Sequence, residues 1–416
     1  MRRRIITFSS IALAALASSI AGAQSDWPQI LGPNRTGLST ETGLIDTWPT
    51  GGPKEVWRVE GGTGMSGLAI SRGRLVTMVQ TEGQQWVIAL DATTGTSIWR
   101  TAVAPEYLNG QGKGPRATPT IVGEQVFVFT GEGILAALNF TDGKQGWSHN
   151  VVKELGGKPA DYGMACSPLV VGDQVIVTAG APGATVTAYD TASGNLAWKA
   201  GDDSAGYSSP ALLNLGGRDQ IVVFTGRSVL GLAPTKGTVL WRYPYKTDYD
   251  CNIATPLAIK DRLFISAGEN HGSVLLDLKP TGDTFALSEV WSSQGGGSML
   301  RNAWQTSILI DGHLYGFDNV GSSGPVTHFT CVEAATGKRV WQQLRFGNGN
   351  LIGADGKLFV STMKGELVIL RATPKAYDEL GRATVIGTTR QAPALAGGLL
   401  YLRDDRHIVC LDMNKP

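Results

Sequence analysis

The stretch that decides the fold is residues 89–99, Ala-Leu-Asp-Ala-Thr-Thr-Gly-Thr-Ser-Ile-Trp, in which an apolar strand end is followed by an Asp, a turn closed by Gly95, and Trp99. The phrase recurs at residues 139–147, 188–198, 233–241 and 332–341, with a stretched copy around Gly282. Trp57 also follows directly after an apolar residue, Val56, but no such turn precedes it. The tryptophans lie 42 to 51 residues apart, a period typical of propeller blades, and they are Trp57, Trp99, Trp147, Trp198, Trp241, Trp291 and Trp341.

A second phrase with the same period is a tight turn between two apolar runs. The eight turns are Arg72-Gly73, Gly123-Glu124, Gly172-Asp173, Gly216-Gly217, Lys260-Asp261, Asp311-Gly312, Asp355-Gly356 and Gly397-Gly398. Each predicts a β-hairpin. A third strand and the tryptophan phrase complete a four-stranded unit. The sequence therefore predicts an all-β protein, an eight-bladed β-propeller of four-stranded antiparallel blades.

The two ends of the propeller region have matching deficits. Residues 55–59 form an outermost strand with no blade in front of it, and the last strand, at residues 410–412, has no closing Trp after it. We therefore predict that the N-terminal strand completes the last blade, which removes the open edge. The predicted organisation is a signal peptide at 1–23, an arm at 24–54 and the propeller at 55–416. We expect the arm to wrap the outside of the ring, with Trp27 and Trp48 as apolar contacts.

Residues 1–23 have the pattern of a secretory signal: three arginines, an apolar run over residues 5–20, and Ala21-Gly22-Ala23 as a cleavage site. A membrane anchor is the alternative, but serines dilute a run that is barely long enough to span a bilayer. Cleavage near Ala23 predicts a periplasmic or extracellular protein with no transmembrane anchor. The mature chain would carry 33 basic and 35 acidic residues, a balance that does not favour nucleic-acid binding. We expect a monomer.

Long connections between blades predict where a site would form. In a propeller these connections open on one face, around the channel mouth, where polar and aromatic groups could bind an envelope protein, a small ligand or a polymer. The alternative is that they are ordinary solvated loops. The candidate binding residues are Arg116, Tyr162, Tyr207, Asp250, Asn252, Arg301, Asn302, Trp304 and Arg390.

The sequence lacks the usual catalytic and metal-binding motifs. Its five histidines are scattered without metal-ligand spacing, and it contains no nucleophile elbow, phosphate loop or haem-attachment signal. We predict no catalytic residue, no metal site and no cofactor. The four cysteines fall in different units, and we expect them to be free, mostly buried thiols: Cys166, Cys251, Cys331 and Cys410.

The repeated phrase, with Ser/Thr-Pro strands such as residues 118–126 and 167–175 before it, resembles the pyrroloquinoline-quinone-like β-propeller repeat. The arm resembles the start of secreted bacterial members of that family. The resemblance implies one of two functions. One is that of the quinoprotein alcohol dehydrogenases, which hold a quinone and calcium over the channel beneath a disulfide of adjacent cysteines.

Adjacent cysteines are absent here, although rim groups such as Arg116, Asp250, Asn252 and Arg301 could hold an anionic quinone and a cation. The other function is that of the propeller subunit of the outer-membrane barrel-assembly machinery, a non-catalytic scaffold and a lipoprotein. This chain lacks the lipid-accepting Cys near the cleavage point. We expect an exported, non-catalytic binding module, with a quinone- and calcium-dependent dehydrogenase as the alternative.

Overall fold

The structure, a computed structural model, describes residues 25–295, 297–321 and 326–415. The predicted signal peptide lies outside the described residues. The described chain forms eight separate four-stranded antiparallel sheets. The innermost strands of most neighbouring sheets touch, including those of the first and last sheets. Buried clusters join the fifth sheet to the sixth and the seventh to the eighth, so the sheets form a closed ring. The eight-bladed propeller predicted from the repeat is therefore confirmed.

Strand β1 (Lys54–Glu60) precedes the first blade. The first four blades contain, in chain order, β2 (Ala69–Ser71), β3 (Arg74–Thr81), β4 (Gln84–Asp91) and β5 (Ser97–Pro105); β6 (Thr120–Val122), β7 (Gln125–Phe129), β8 (Ile134–Asn139) and β9 (Gln145–Asn150); β10 (Leu169–Val171), β11 (Gln174–Ala181), β12 (Ala184–Asp190) and β13 (Leu196–Ala200); and β14 (Ala211–Leu215), β15 (Arg218–Phe224), β16 (Ser228–Leu232) and β17 (Val239–Pro244).

The other four blades contain β18 (Leu257–Ile259), β19 (Arg262–Ala267), β20 (Gly272–Thr281) and β21 (Thr284–Ser292); β22 (Ile308–Ile310), β23 (His313–Val320), β24 (Val326–Glu333) and β25 (Arg339–Gln343); β26 (Gly349–Ala354), β27 (Lys357–Thr362), β28 (Glu366–Arg371) and β29 (Glu379–Thr384); and β30 (Ala394–Ala396), β31 (Leu399–Arg403) and β32 (His407–Asp412). Two short helices lie in the connections, α1 (Val151–Glu154) and a 3-10 turn (Asp248–Asp250).

All eight predicted hairpin turns join the first and second strands of a blade. The turn between β2 and β3 shows the reason: Arg72 and Gly73 both have positive φ, 48° and 73°, the conformation that matches the twist of a two-residue hairpin. The second and third strands are almost wholly buried, whereas the fourth is largely exposed, with buried positions such as Trp99 along it. The core therefore lies between neighbouring blades.

The ring closes through β1. This strand pairs with β32 from Lys54↔Asp412 to Glu60↔His407, with a bulge between Glu55 and Trp57, and Lys54 Nζ lies 2.9 Å from Asp412 Oδ2. The last blade thus takes its outer strand from the N-terminal side of the chain, as the two matching deficits predict.

Six of the seven tryptophans of the repeat, all except Trp241, lie against the turn of the following blade. Five indole N–H groups donate to a main-chain carbonyl there, as Trp99 does to Phe140 at 3.0 Å and Trp57 to Ala92 at 2.9 Å. Trp198 and Trp241 donate instead to Gln174 and Gln220 of their own blades. The glycine of the turn is required because a Cβ on Gly143 would lie 2.5 Å from the Trp99 ring.

Residues 27–38 of the arm do not wrap the outside of the ring, as we expected from the sequence, but cross the inner strands; residues 47 and 48 reach the outer strand of the seventh blade. Trp27 forms an antiparallel bridge with Ile70 of the first blade, and Leu38 a parallel bridge with Gly353 of the seventh. Between them, the buried Arg35 donates to the carbonyls of Ser167, Pro168 and Pro210 in the third and fourth blades. Inner-strand edges are the unpaired main-chain groups nearest to the arm, and pairing with them satisfies both.

The seventh blade lacks the repeat's tryptophan, and the arm supplies one. Gly381 lies opposite Ile369, next to the bulge at which the other blades carry the tryptophan. A Cβ on Gly381 would lie 2.9 Å from Trp48 Cδ1 of the arm. Trp48 packs against the cluster that joins the last two blades and the first. The arm is therefore part of the propeller core.

Candidate functional site

A cup of about 600 Å³ lies at the centre of the ring. Its walls come mostly from the blade-to-blade connections, which open on one face, called here the cup face. At the other end, Trp27, Ile30 and Leu31 of the arm form the floor. The channel is consequently a blind cup, closed by the segment that crosses the inner strands.

Five of the nine candidate residues predicted from the sequence line this cup: Arg116, Tyr162, Tyr207, Trp304 and Arg390. Tyr162 and Tyr207 are stacked, with ring centroids 5.5 Å apart, and the Tyr207 hydroxyl accepts a hydrogen bond from the Tyr162 main chain. Burial raises the pKa of both phenols. They are therefore neutral at physiological pH and present apolar faces with hydrogen-bonding tips.

The other four candidates do not line the cup. Asn252 is buried and donates to Thr225 O at 2.6 Å. Arg301 is buried in a pair with Asp318, 2.7 Å from Nε to Oδ1. Asn302 donates to Phe317 O, and Asp250 accepts from Ser204 at 2.6 Å. These side chains stabilise the connections, which lack a regular strand ladder to satisfy their main-chain groups.

Arg116 is held in the wall of the cup and is only 8% exposed. Its guanidinium donates to three main-chain carbonyls, those of Tyr162, Gly114 and Gly112, and lies 4.7 Å from the Tyr107 ring centroid. Burial lowers the pKa of Arg116 and Arg390 lowers it further, whereas Tyr107 and Glu132 act in the opposite direction. An arginine has five N–H donors, so two remain beyond those three bonds.

Arg390 is exposed at the mouth of the cup. It stacks over Trp304, 5.1 Å from the ring centroid, and donates to Gln111 O at 3.3 Å. Because Trp304 and Gln111 belong to connections on different sides of the ring, the Arg390 side chain lies across part of the opening. It brings a second guanidinium to the lining of the cup, and its positive charge contributes to the lowered pKa of Arg116.

The sequence-based search missed three groups of cup residues. Trp27, Ile30 and Leu31 lie in the arm, which we placed outside the ring. Met65 and Gln111 belong to no sequence motif that would mark them as binding residues. Glu269 lies in the turn between β19 and β20, and burial raises its pKa, with a further contribution from Asp248. It could have been found, because in antiparallel blades the second turn opens on the same face as the blade-to-blade connections.

A shallower cavity of about 490 Å³ lies between the sixth and seventh blades. It is lined by Phe346, Tyr377 and Arg382, whose guanidinium is paired with Glu366 and Glu379 at 2.9 Å. Because Arg382, Glu366 and Glu379 are already paired with one another and the cavity is smaller, the central cup is the stronger candidate.

Comparisons with known proteins agree on the fold. The sequence model of the family described as outer membrane protein assembly factor BamB matches residues 48–161, 83–343 and 327–415. A protein of that name from Nitrosomonas eutropha is 31% identical over 153 residues, which is 35% of this chain and 32% of the relative. The alignment therefore spans about a third of that relative's length.

Several solved structures are similar in fold. They include the quinohemoprotein alcohol dehydrogenase of Comamonas testosteroni (TM-score 0.66, 14% identity, 94% of this chain and 81% of that one). A europium-containing methanol dehydrogenase has a TM-score of 0.65 at 14% identity, covering 92% and 89% of the two chains. BamB of Moraxella catarrhalis has a TM-score of 0.57 at 16% identity, covering 86% and 99%. At these identities the likeness concerns the fold alone.

The residues of the cup do not fit a quinone held by calcium. Calcium takes six to eight oxygen ligands, among them carboxylates that offset its charge, whereas Glu269 is the one carboxylate among the cup's lining residues. No three His, Cys, Asp or Glu side chains cluster as metal ligands in the part of the chain that the structure describes. Cys251 is the one cysteine in the lining, and all four thiols of the chain are free and buried. We therefore derive no reaction step through this cofactor.

Proposed function

The chain belongs to the family described as outer membrane protein assembly factor BamB, and from that premise we propose that it is an exported, non-catalytic scaffold that docks a partner protein on its cup face. The partner is a protein of the cell envelope, and the place of action is the periplasm or the exterior. Over residues 25–295, 297–321 and 326–415, no helix has the length and apolar character needed to cross a bilayer.

The observation that carries the proposal is the distribution of exposed apolar side chains. Among the described residues, three large hydrophobic side chains stand out as most exposed: Leu108 at 60%, Tyr249 at 69% and Leu344 at 62%. The others in this class are 38–45% exposed. All three lie in blade-to-blade connections, on the cup face, after the first, fourth and sixth blades.

Large apolar side chains displayed around a concave centre are typical of protein-docking surfaces, because their burial on association is the main favourable term. The turns on the opposite face carry the polar repeat instead, as where Asp91 accepts hydrogen bonds from the main chain of Thr93 and Thr94. One face is thus suited to a partner, and the other is occupied by its own turn structure and by the arm.

Site-specific photo-crosslinking in the native envelope tests this proposal. A photoreactive residue is placed at position 108, 249 or 344, and control positions are 122 and 196, which are exposed near turns of the opposite face. We expect the same adduct from all three cup-face positions and none from the controls. Equal labelling from both faces, or none from the cup face, would contradict the docking role.

A second measurement separates the scaffold from the dehydrogenase alternative. The purified chain is incubated with pyrroloquinoline quinone and calcium, and dye reduction is followed with primary alcohols. We expect no turnover above that of a heat-denatured sample. Sustained, alcohol-dependent dye reduction would retire the scaffold and favour an enzyme.

A further inference from the structure

The cup has a divided charge. Arg116 and Arg390 come from the connections before the second and eighth blades, and Glu269 from the fifth blade, on the opposite side of an eight-membered ring. The floor and much of the wall between these charged groups are apolar, including Trp27, Leu31 and Tyr207. A ligand in this cup therefore meets positive charge at one wall and negative charge at the other.

The positive wall consists of the guanidinium groups of Arg116 and Arg390. The Arg116 guanidinium bonds to carbonyls, and that of Arg390 to Gln111 O and the Met65 sulfur, so within the described chain neither has a carboxylate partner. Arg116 is more than nine-tenths buried, it lines the cup, and its three carbonyl bonds use only three of its five N–H donors. Two neighbouring guanidinium groups repel each other, and a bound anion would offset both that repulsion and the desolvation of Arg116.

We propose that the cup is the anchor pocket of the docking face, and that it receives an acidic side chain of the partner, Asp or Glu, next to an apolar or aromatic one. The carboxylate lies against Arg116 and Arg390, and the apolar neighbour packs on the floor formed by Trp27 and Leu31. This inference rests on the proposed docking function and names the chemistry of the partner segment.

The occupant is a protein segment rather than a free small acid for two reasons. The exposed apolar side chains of Leu108, Tyr249 and Leu344 lie on the same face as the opening of the cup, so a protein partner whose loop enters the cup can also cover them, whereas a small acid cannot. In addition, Arg390 lies across part of the opening on Trp304. A loop can insert beside this side chain, and the stacked guanidinium is positioned to bind it bidentately.

The experiment uses a random twelve-residue peptide display library, selected on the mature chain. We expect the wild-type chain to enrich peptides in which Asp or Glu adjoins a large apolar residue. The dissociation constant of one selected peptide is then measured on variants. Arg390→Gln should raise it about 10-fold by removing a charge-assisted contact, and Arg390→Lys by less. Glu269→Gln should lower it about two- to five-fold by removing a nearby like charge.

The matched control is Arg227→Gln. Arg227 is an exposed arginine in the turn between β15 and β16, which opens on the same face but does not line the cup. It should leave the dissociation constant unchanged, and melting temperatures of all variants should equal that of the wild type. Selection of neutral or basic peptides, or equal effects of Arg390→Gln and Arg227→Gln, would overturn the proposal.

Three further outcomes distinguish which of the two proposals has failed. If no peptide is enriched while pyrroloquinoline quinone binds in an Arg390-dependent manner, the occupant is a free small acid and the peptide proposal is wrong. If photo-crosslinking from positions 108, 249 and 344 succeeds while the display selects no acidic peptide, the docking function stands and the anchor-pocket inference falls. If both experiments fail, the docking function itself is wrong.

Discussion

Replacing Trp198 by Ala should reduce the free energy of unfolding by about 3–5 kcal/mol, the range for a large aromatic side chain removed from a core. The structure supports the full range because Trp198 is only 9% exposed and packs against Gly237 of the next blade. A Cβ on Gly237 would lie 2.2 Å from the indole, so the turn of the fourth blade packs directly on the ring, which is also part of the buried cluster between the two blades. Its removal leaves a cavity that main-chain atoms on both sides cannot fill.

The conservative variant Trp198→Phe separates packing from hydrogen bonding. The indole N–H donates to Gln174 Oε1 at 2.7 Å, and a net hydrogen bond contributes about 0.5–1.5 kcal/mol. Phe keeps most of the ring contact, so we expect a loss of about 1–2 kcal/mol, clearly smaller than that of Ala.

Urea unfolding followed by tryptophan fluorescence and circular dichroism measures both variants. The control is Leu196→Ala, two residues earlier on the exposed side of the same strand, which should change stability by less than about 0.5 kcal/mol. A loss of under about 1 kcal/mol for Trp198→Ala would refute the role of the tryptophan in joining blades.

Three other expectations follow from the arm and the thiols. Trp48→Ala should cost about 1–3 kcal/mol in thermal or urea unfolding, since Trp48 is half-buried at Gly381; the exposed Thr50→Ala is its control, and equal effects would contradict the substitute-tryptophan role. Hydrogen bonds from Lys415 and Lys357 lower the pKa of Asp46 to about 2, below its unfolded value of about 3.9. The stabilisation is therefore present above pH 4 and lost as the pH falls toward 2, so the melting temperatures of wild type and Asp46→Asn should differ at pH 6 and converge at pH 2. Burial raises the pKa of Cys251 to about 12 and also raises that of Cys166, so a thiol reagent at pH 8 should label neither in the native chain and all four cysteines after denaturation; rapid native labelling would place them at the surface.

The fold could be predicted because its determinants are local. A two-residue turn such as Arg72-Gly73 requires a particular main-chain conformation. A glycine such as Gly143 is needed in each turn on which an indole packs. Such requirements recur in each blade and leave a period that the sequence displays. Ring closure followed from comparing the two ends, since a missing strand at one end matched an extra strand at the other.

The arm could not be placed in this way, because its contacts are long-range. Arg35 binds carbonyls more than 130 positions away, and no local pattern encodes that distance. One clue was available: the seventh blade carries Gly381 where its neighbours carry tryptophan, and Trp48 of the arm is a tryptophan that the repeat leaves unused.

Five of the nine candidate residues named from the sequence line the cup, and the other four do not. Loop residues of the right chemistry were identified, but whether a side chain enters the cup or turns inward depends on which buried groups lack partners. Arg301 turns inward because Asp318 is buried beside it, and Asn252 because the Thr225 carbonyl requires a donor. Arg116 and Arg390 have no such acidic partner among the described residues, and they remain directed at the cup.

The pairing of β1 with β32 joins residues 358 positions apart, as at Lys54 and Asp412. During synthesis or export, the early strand therefore stays unpaired until the strand at residues 407–412 has emerged. Closure of the ring thus requires that synthesis has passed the last blade. A product truncated within β32 would leave strand edges with unpaired main-chain N–H and C=O groups. Envelope proteases and chaperones can recognise such exposed edges.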